Sequence, residues 1–131
     1  MSVGLKEKNF DDKKKPTRYF SKLQETKVAK DLGGTRTKNS GATDFGGKSD
    51  VFIHDRDNGQ NWSIECKTKM THTESMSIKK EWLEKLKREA MFDGNKYCAL
   101  AFNFGPNEEN YYIIDQYLFQ DLMEYLKNKK A

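Results

Sequence analysis

The chain has 131 residues, the span of one domain built on one hydrophobic core. Charged residues make up 34% of it and hydrophobic ones 35%, so its surface must be heavily charged, and no apolar run is long enough to cross a bilayer. Lys and Arg (24) exceed Asp and Glu (20) by only four, a balance too mild to identify a nucleic-acid partner by itself.

Residues 1–16 are polar and end in Lys13-Lys14-Lys15-Pro16, which reads as a loosely attached basic arm ahead of a folded domain spanning 17–131. The N-terminus lacks the apolar core of a signal peptide. Cys66 and Cys98 both fall on predicted strands and suit reduced core positions better than a disulfide, so a reducing, cytoplasmic setting is expected.

Residues 17–32 favour a helix that Gly33-Gly34 stops. Glu25, Val28 and Leu32 recur at i, i+3 and i+7, placing a carboxylate on the face that should turn inward, where it needs a partner or a metal. A short strand is expected at 35–38, then a polar loop at 39–48 carrying Ser40, Gly41, Gly46 and Gly47. Such a loop can bring backbone amides to an anion, though it lacks the spacing of a nucleotide-binding P-loop. Arg36, Lys38 and Lys48 make it positive.

The next stretch organises the chain. Residues 49–54 and 62–67 are rich in β-branched and aromatic side chains and flank Asp57-Asn58-Gly59-Gln60, the pattern of a β-hairpin. Strand side chains alternate faces, so Glu65 and Lys67 share one face while Ile64 and Cys66 share the other. With Asn58-Gly59 as a two-residue loop, Asp50 falls opposite Lys67 and Phe52 opposite Glu65. Asp50 and Glu65 are then diagonal neighbours on one face, and another loop of the same parity keeps them there.

Beyond a polar connection at 69–77, Ile78, Trp82, Leu86 and Ala90 recur every four residues, with Leu83 alongside, predicting an amphipathic helix over 78–90. Residues 97–104 form a near-continuous apolar run, expected as a central strand. A turn at 105–110, a strand at 111–114 and a helix at 116–127 follow. This order is α/β, with no repeat and no second domain. Trp62 and Trp82 are expected in the core, while His54 and His72 lack the company of zinc ligands.

Hard cations take oxygen ligands and keep several waters, so one to three carboxylates suffice for Mg²⁺, with Mn²⁺ as a substitute. Asp50, Glu65 and the backbone carbonyl of Cys66 form such a set. Lys67 lies beside it, and Glu25 can complete a second metal site or orient the nucleophile.

Asp50 followed by Ile64-Glu65-Cys66-Lys67 resembles the signature of the PD-(D/E)xK nuclease superfamily. More closely, the order of elements is similar to that of the small archaeal-type Holliday-junction resolvases and their phage and bacterial relatives. Those begin with a glutamate-bearing helix, continue through a Ser/Gly loop, an aspartate strand and a Glu-x-Lys strand, and end in an amphipathic helix and two strands. The match covers Glu25, Ser40-Gly41, Asp50, Glu65-x-Lys67 and the elements as far as residue 115. Ser49 replaces the proline of the signature, and the C-terminal helix and basic arm are additions.

The resemblance implies a restriction-endonuclease-like mixed β-sheet flanked by helices, and Mg²⁺-dependent hydrolysis of DNA phosphodiesters. Asp50 and Glu65 would be metal ligands, Lys67 would assist the attacking water, Glu25 would be a further acid, and Ser40 would touch the scissile phosphate or its loop. Four-way junctions are two-fold symmetric, so resolving them implies a homodimer. Arg36, Lys38, Ser40, Lys48, Lys69, Lys79 and Lys80 are the expected DNA contacts, read by shape, since no base-reading motif is present. Two alternatives stand beside this reading: a restriction-like or repair nuclease on duplex or flap DNA, and a non-catalytic module that binds nucleic acid.

Overall fold

The computed structural model describes residues 17–37, 49–55 and 59–129. Helix α1 (Thr17–Leu32) leads to β1 (Thr35–Arg36), β2 (Val51–Ile53) and β3 (Trp62–Lys67); α2 (Lys80–Phe92), β4 (Tyr97–Phe102), β5 (Tyr111–Ile113) and α3 (Gln116–Lys129) complete the chain. The five strands form one mixed sheet in sequence order, β1-β2-β3-β4-β5. All neighbours are antiparallel except β3 and β4, which run parallel because α2 carries the chain back across the sheet. The expected α/β architecture, a mixed sheet flanked by helices, is what forms. No helix among the described residues is long and apolar enough to cross a membrane.

Period-two alternation divides the apolar residues between two layers. Val51, Ile64, Cys66, Ala99 and Ala101 turn to one face and bury Val28 and Ala29 of α1. Leu100 turns to the other face with Ser63, where Leu86 and Ala90 of α2 are also buried. Val28, Val51, Ile64 and Leu100 are almost wholly removed from water, each contributing about 1.5–3 kcal/mol. Both cysteines are free thiols, Cys66 buried and Cys98 half-buried.

The helix ends follow from local sequence. Gly33 adopts φ +69°, and the Gly34 N–H returns to the Ala29 carbonyl at 2.8 Å, closing α1. Gly94 (φ +73°) does the same for α2, with the Asn95 N–H on the Ala90 carbonyl at 2.8 Å. Asp115 caps α3: its Oδ1 accepts the Leu118 N–H at 2.9 Å.

Several boundaries differ from expectation. The helix expected at 78–90 starts two residues later, leaving Ile78 outside, and Leu32 is 38% exposed although its spacing from Val28 pointed it inward. The strand at 97–104 stops at Phe102; Asn103 keeps one backbone bond to β3 and turns its side chain to Asn110 and the Gly105 N–H. The hairpin register also changes. Val51 pairs with Ile64, Phe52 with Ser63 and Ile53 with Trp62. That is two residues from the pairing implied by an Asn58-Gly59 loop, and it brings Asp50 level with Glu65 instead of Lys67. An even shift preserves the face of every side chain, so the shared face survives. Asp57 and Asn58, the basic arm at 1–16, and Lys38, Ser40 and Lys48 lie outside the described residues.

Candidate active site

Asp50 sits at the head of β2, 7% exposed, and its backbone and side chain are both anchored. The Thr37 N–H donates to its carbonyl at 2.9 Å, extending the β1–β2 pairing by one bond. Its Oδ2 accepts the backbone N–H of Cys66 at 2.8 Å. Gly34 lets the chain after α1 run close to β2, since a Cβ there would lie 2.5 Å from the Phe52 carbonyl oxygen.

The N–H and C=O of one strand residue project toward the same neighbour. Because the Cys66 N–H reaches Asp50, the Cys66 carbonyl also points to the β2 side of β3, toward that carboxylate. The Cys66 thiol lies on the opposite face, packed beneath α1. Burial pushes its pKa up, with Asp50, Glu25 and Glu65 adding to the effect, which leaves it a protonated core group.

Glu65 and Lys67 follow on the outer face of β3. Lys67 Nζ stands 3.9 Å from Glu65 Oε2 and 4.4 Å from the centroid of the Trp82 ring, so the ammonium is held between a carboxylate and an indole face. Burial raises the pKa of Glu65 to about 8, and the Asp50 charge adds to this against the opposing pull of Lys67. The positive neighbours, Lys67 and Lys85, only partly offset the burial and the Asp50 charge.

A cleft of about 310 Å³ opens over this face between β3 and α2, lined by Glu65, Lys67, Trp82, Lys85, Arg88 and Glu89, among others. Lys79 and Lys80, at the start of α2, are exposed near its mouth, with Lys79 Nζ 5.9 Å from the Trp82 ring. Lys69 is exposed just beyond β3.

Glu25 comes from α1 and is only 12% exposed in its side chain. Burial raises its pKa to about 7, Asp50 contributing and Arg36 opposing. The Arg36 guanidinium lies 3.7 Å from its Oε1. Glu25 therefore lies within the field of Asp50 and has Arg36 as the partner its inward face requires. Arg36, one of the expected DNA contacts, is thus also the partner of a buried acid. Among the described residues, no three His, Cys, Asp or Glu side chains gather closely enough to hold a metal ion. The oxygens offered where β2 and β3 meet are those of Asp50 and Glu65, level in register, and the Cys66 carbonyl. Two anionic oxygens and one neutral one, with water filling the rest, fit Mg²⁺ in kind and number.

Two contributors escape a reading of the sequence alone. Gln24, 4% exposed, donates its amide to the Lys67 carbonyl at 2.8 Å, to Asn110 Oδ1 at 3.0 Å and to the Ala101 carbonyl at 3.4 Å. The Asn103 N–H also donates to the Lys67 carbonyl, at 3.3 Å, and the Asn103 side chain accepts from Thr68. These bonds fix the backbone at the end of β3, and through it the root of Lys67. The four-residue spacing Phe20, Gln24, Val28 carries a signal for Gln24. Trp82 falls on the predicted apolar stripe, but as a core residue; its service to Lys67 depends on how α2 crosses the sheet. No protein-family model, curated protein or solved structure matches the chain.

Proposed function

We propose that the protein is a Mg²⁺-dependent endonuclease that cuts branched DNA, with four-way junctions as its substrate. One observation carries the reading: Asp50, Glu65 and Lys67 stand on one face of the sheet, the two acids level with one another and the lysine within 4 Å of Glu65, at 3.9 Å. A bound divalent cation would supply Lewis-acid polarisation of the scissile phosphate.

The chain's own groups supply the remainder. The Cys66 N–H on Oδ2 fixes the orientation of the Asp50 carboxylate. Glu65, whose raised pKa leaves it substantially protonated near neutral pH, would have to release that proton to hold a cation. Lys67, steadied by Trp82 and by the hydrogen bonds at its backbone, places a positive charge where a phosphorane-like transition state gathers negative charge. Lys69, Lys79 and Lys80 offer charge for flanking phosphates, a sequence-independent attraction. A two-fold junction needs two cuts, so the working form is a homodimer.

The test is incubation of the purified full chain with end-labelled four-way junctions and with linear duplexes of the same arm sequences, in Mg²⁺. Paired symmetric nicks confined to junctions are the expected product. Sequence-fixed cutting of the duplex would transfer the reading to a restriction-like enzyme. Absence of cutting on any DNA structure in Mg²⁺ or Mn²⁺ refutes the nuclease reading.

A further inference from the structure

Among the described residues, helix α3 is anchored to the body through its first turn. Leu118 is 7% exposed, and Asp115 ties the helix start to α2 through Lys87 at 3.0 Å. Beyond that turn the apolar side chains face water: Phe119 56%, Leu122 38%, Met123 42%, Leu126 52%, with Tyr125 at 61% on the margin. Phe119, Leu122, Met123 and Leu126 stand at i, i+3, i+4 and i+7, one continuous stripe on a helix. Among the described residues, nothing in the monomer covers these four large side chains.

We infer that α3 is a dimerisation helix, packing antiparallel against α3 of a second copy of this chain about a two-fold axis between Leu122 and Met123. The spacing 3, 1, 3 reads the same in both directions, so reversing one helix superimposes stripe on stripe. Phe119 then meets Leu126 of the partner subunit, and Leu122 meets Met123 of the partner subunit. A pattern that complements its own reversal is what an isologous contact requires.

Charge agrees with this orientation. The last turn holds Lys127 and Lys129, and the helix start holds Asp115. Antiparallel pairing sets Lys129 against Gln116 of the partner subunit, one residue from the partner's Asp115. Parallel pairing would stack lysines on lysines. The area is also sufficient. With ~150–250 Å² for an aromatic side chain and somewhat less for an aliphatic one, the exposed fractions of the stripe and of Tyr125 at its margin amount to on the order of 400 Å² of apolar surface per copy. Standard interfaces bury ~800 Å² per partner, roughly three-fifths of it apolar, which is comparable.

The pairing is argued from α3 alone and shares with the junction reading only its use: a two-fold dimer carries two Asp50–Glu65–Lys67 faces. Analytical ultracentrifugation of the full chain, without DNA or metal, tests it separately from any cleavage assay. The expected mass is twice the 15.3 kDa of one chain. Leu122→Glu combined with Met123→Glu should weaken association by at least a hundredfold while the circular dichroism and urea midpoint of the body are kept, because these side chains are exposed in the monomer. Mixing Phe119→Cys with Leu126→Cys chains under mild oxidation should give a mixed disulfide dimer, and neither variant alone should cross-link beyond wild type. A wild type that stays monomeric at high concentration overturns the inference, whatever else covers the stripe. So does a double variant that remains dimeric, and so does Phe119→Cys cross-linking to itself.

Discussion

Replacing Asp50 by Asn separates charge from shape at this site. Asn keeps the side-chain length and an oxygen able to accept the Cys66 N–H, so the 2.8 Å anchor can persist. What disappears is one negative charge beside Glu65 and Glu25, both of which Asp50 pushes toward the protonated form. Carboxylates on neighbouring strand positions lie ~5–8 Å apart, where unit charges repel by about 2–3 kcal/mol at an effective dielectric of 20. Partial contact with water reduces this to about 1–2 kcal/mol for the net effect. The folded-state pKa values, about 8 for Glu65 and about 7 for Glu25, lie above the ordinary value of 4.5. The native state therefore binds more protons than the unfolded chain between that value and pH 8, and metal-free stability falls as pH rises through the window.

In Asp50→Asn that fall should be shallower. Urea unfolding in a chelator should find the variant about 1–2 kcal/mol more stable than wild type at pH 8 and close to it at pH 5, where the glutamates are protonated in both. Adding Mg²⁺ at pH 8 should reverse the order, because wild type gains binding energy and the variant does not. Cleavage should drop by on the order of 10²–10³ or more, with DNA binding retained. If the variant is less stable than wild type by the same amount at both pH values, the acids do not repel one another as described. If it cleaves normally, Asp50 is no part of the chemistry.

Gln24→Leu should cost about 1–2 kcal/mol in urea unfolding, since it removes the donor to the Lys67 carbonyl, though also an amide oxygen that finds no partner; a change below a few tenths would show that the network at the end of β3 bears no load. Gly34→Ala should destabilise by about 1–3 kcal/mol and disturb β2, because its Cβ meets the Phe52 carbonyl oxygen, which belongs to the backbone. Gly33→Ala meets no atom and should cost about 1–2 kcal/mol through its positive φ alone, leaving the chemical shifts of Val51 and Phe52 in place. Lys67→Met should abolish cutting while changing stability by less than about 1 kcal/mol, given an ion pair still open to solvent; retained single-turnover cleavage would remove Lys67 from the mechanism.

Periodicity sufficed to read the helices, an interior strand starting at residue 97 and the shared face of Asp50, Glu65 and Lys67, because alternation and the 3.6-residue repeat are properties of the chain itself. The parity argument survived even though the register it was drawn from was off by two residues. The loop choice that sets the register is decided by how β2 settles against α1, where Gly34 admits the Phe52 carbonyl and Val51 fills the core beside Val28. Glu25 was legible as an acid on a buried face. That it answers to Arg36 was not, since the two residues meet only when β1 folds back along α1.

What the sequence determined by itself is therefore one-dimensional: which side chains share a face, where glycine ends a helix, and that three charges occupy a strand face otherwise suited to apolar groups. What only the tertiary structure decided is which groups from distant elements come into contact. Trp82 beneath Lys67, Gln24 on the Lys67 carbonyl and the Cys66 N–H on Asp50 join residues 15, 43 and 16 positions apart. Side-chain contacts across such separations depend on the crossing of whole elements, and the spacing along a chain does not encode that crossing.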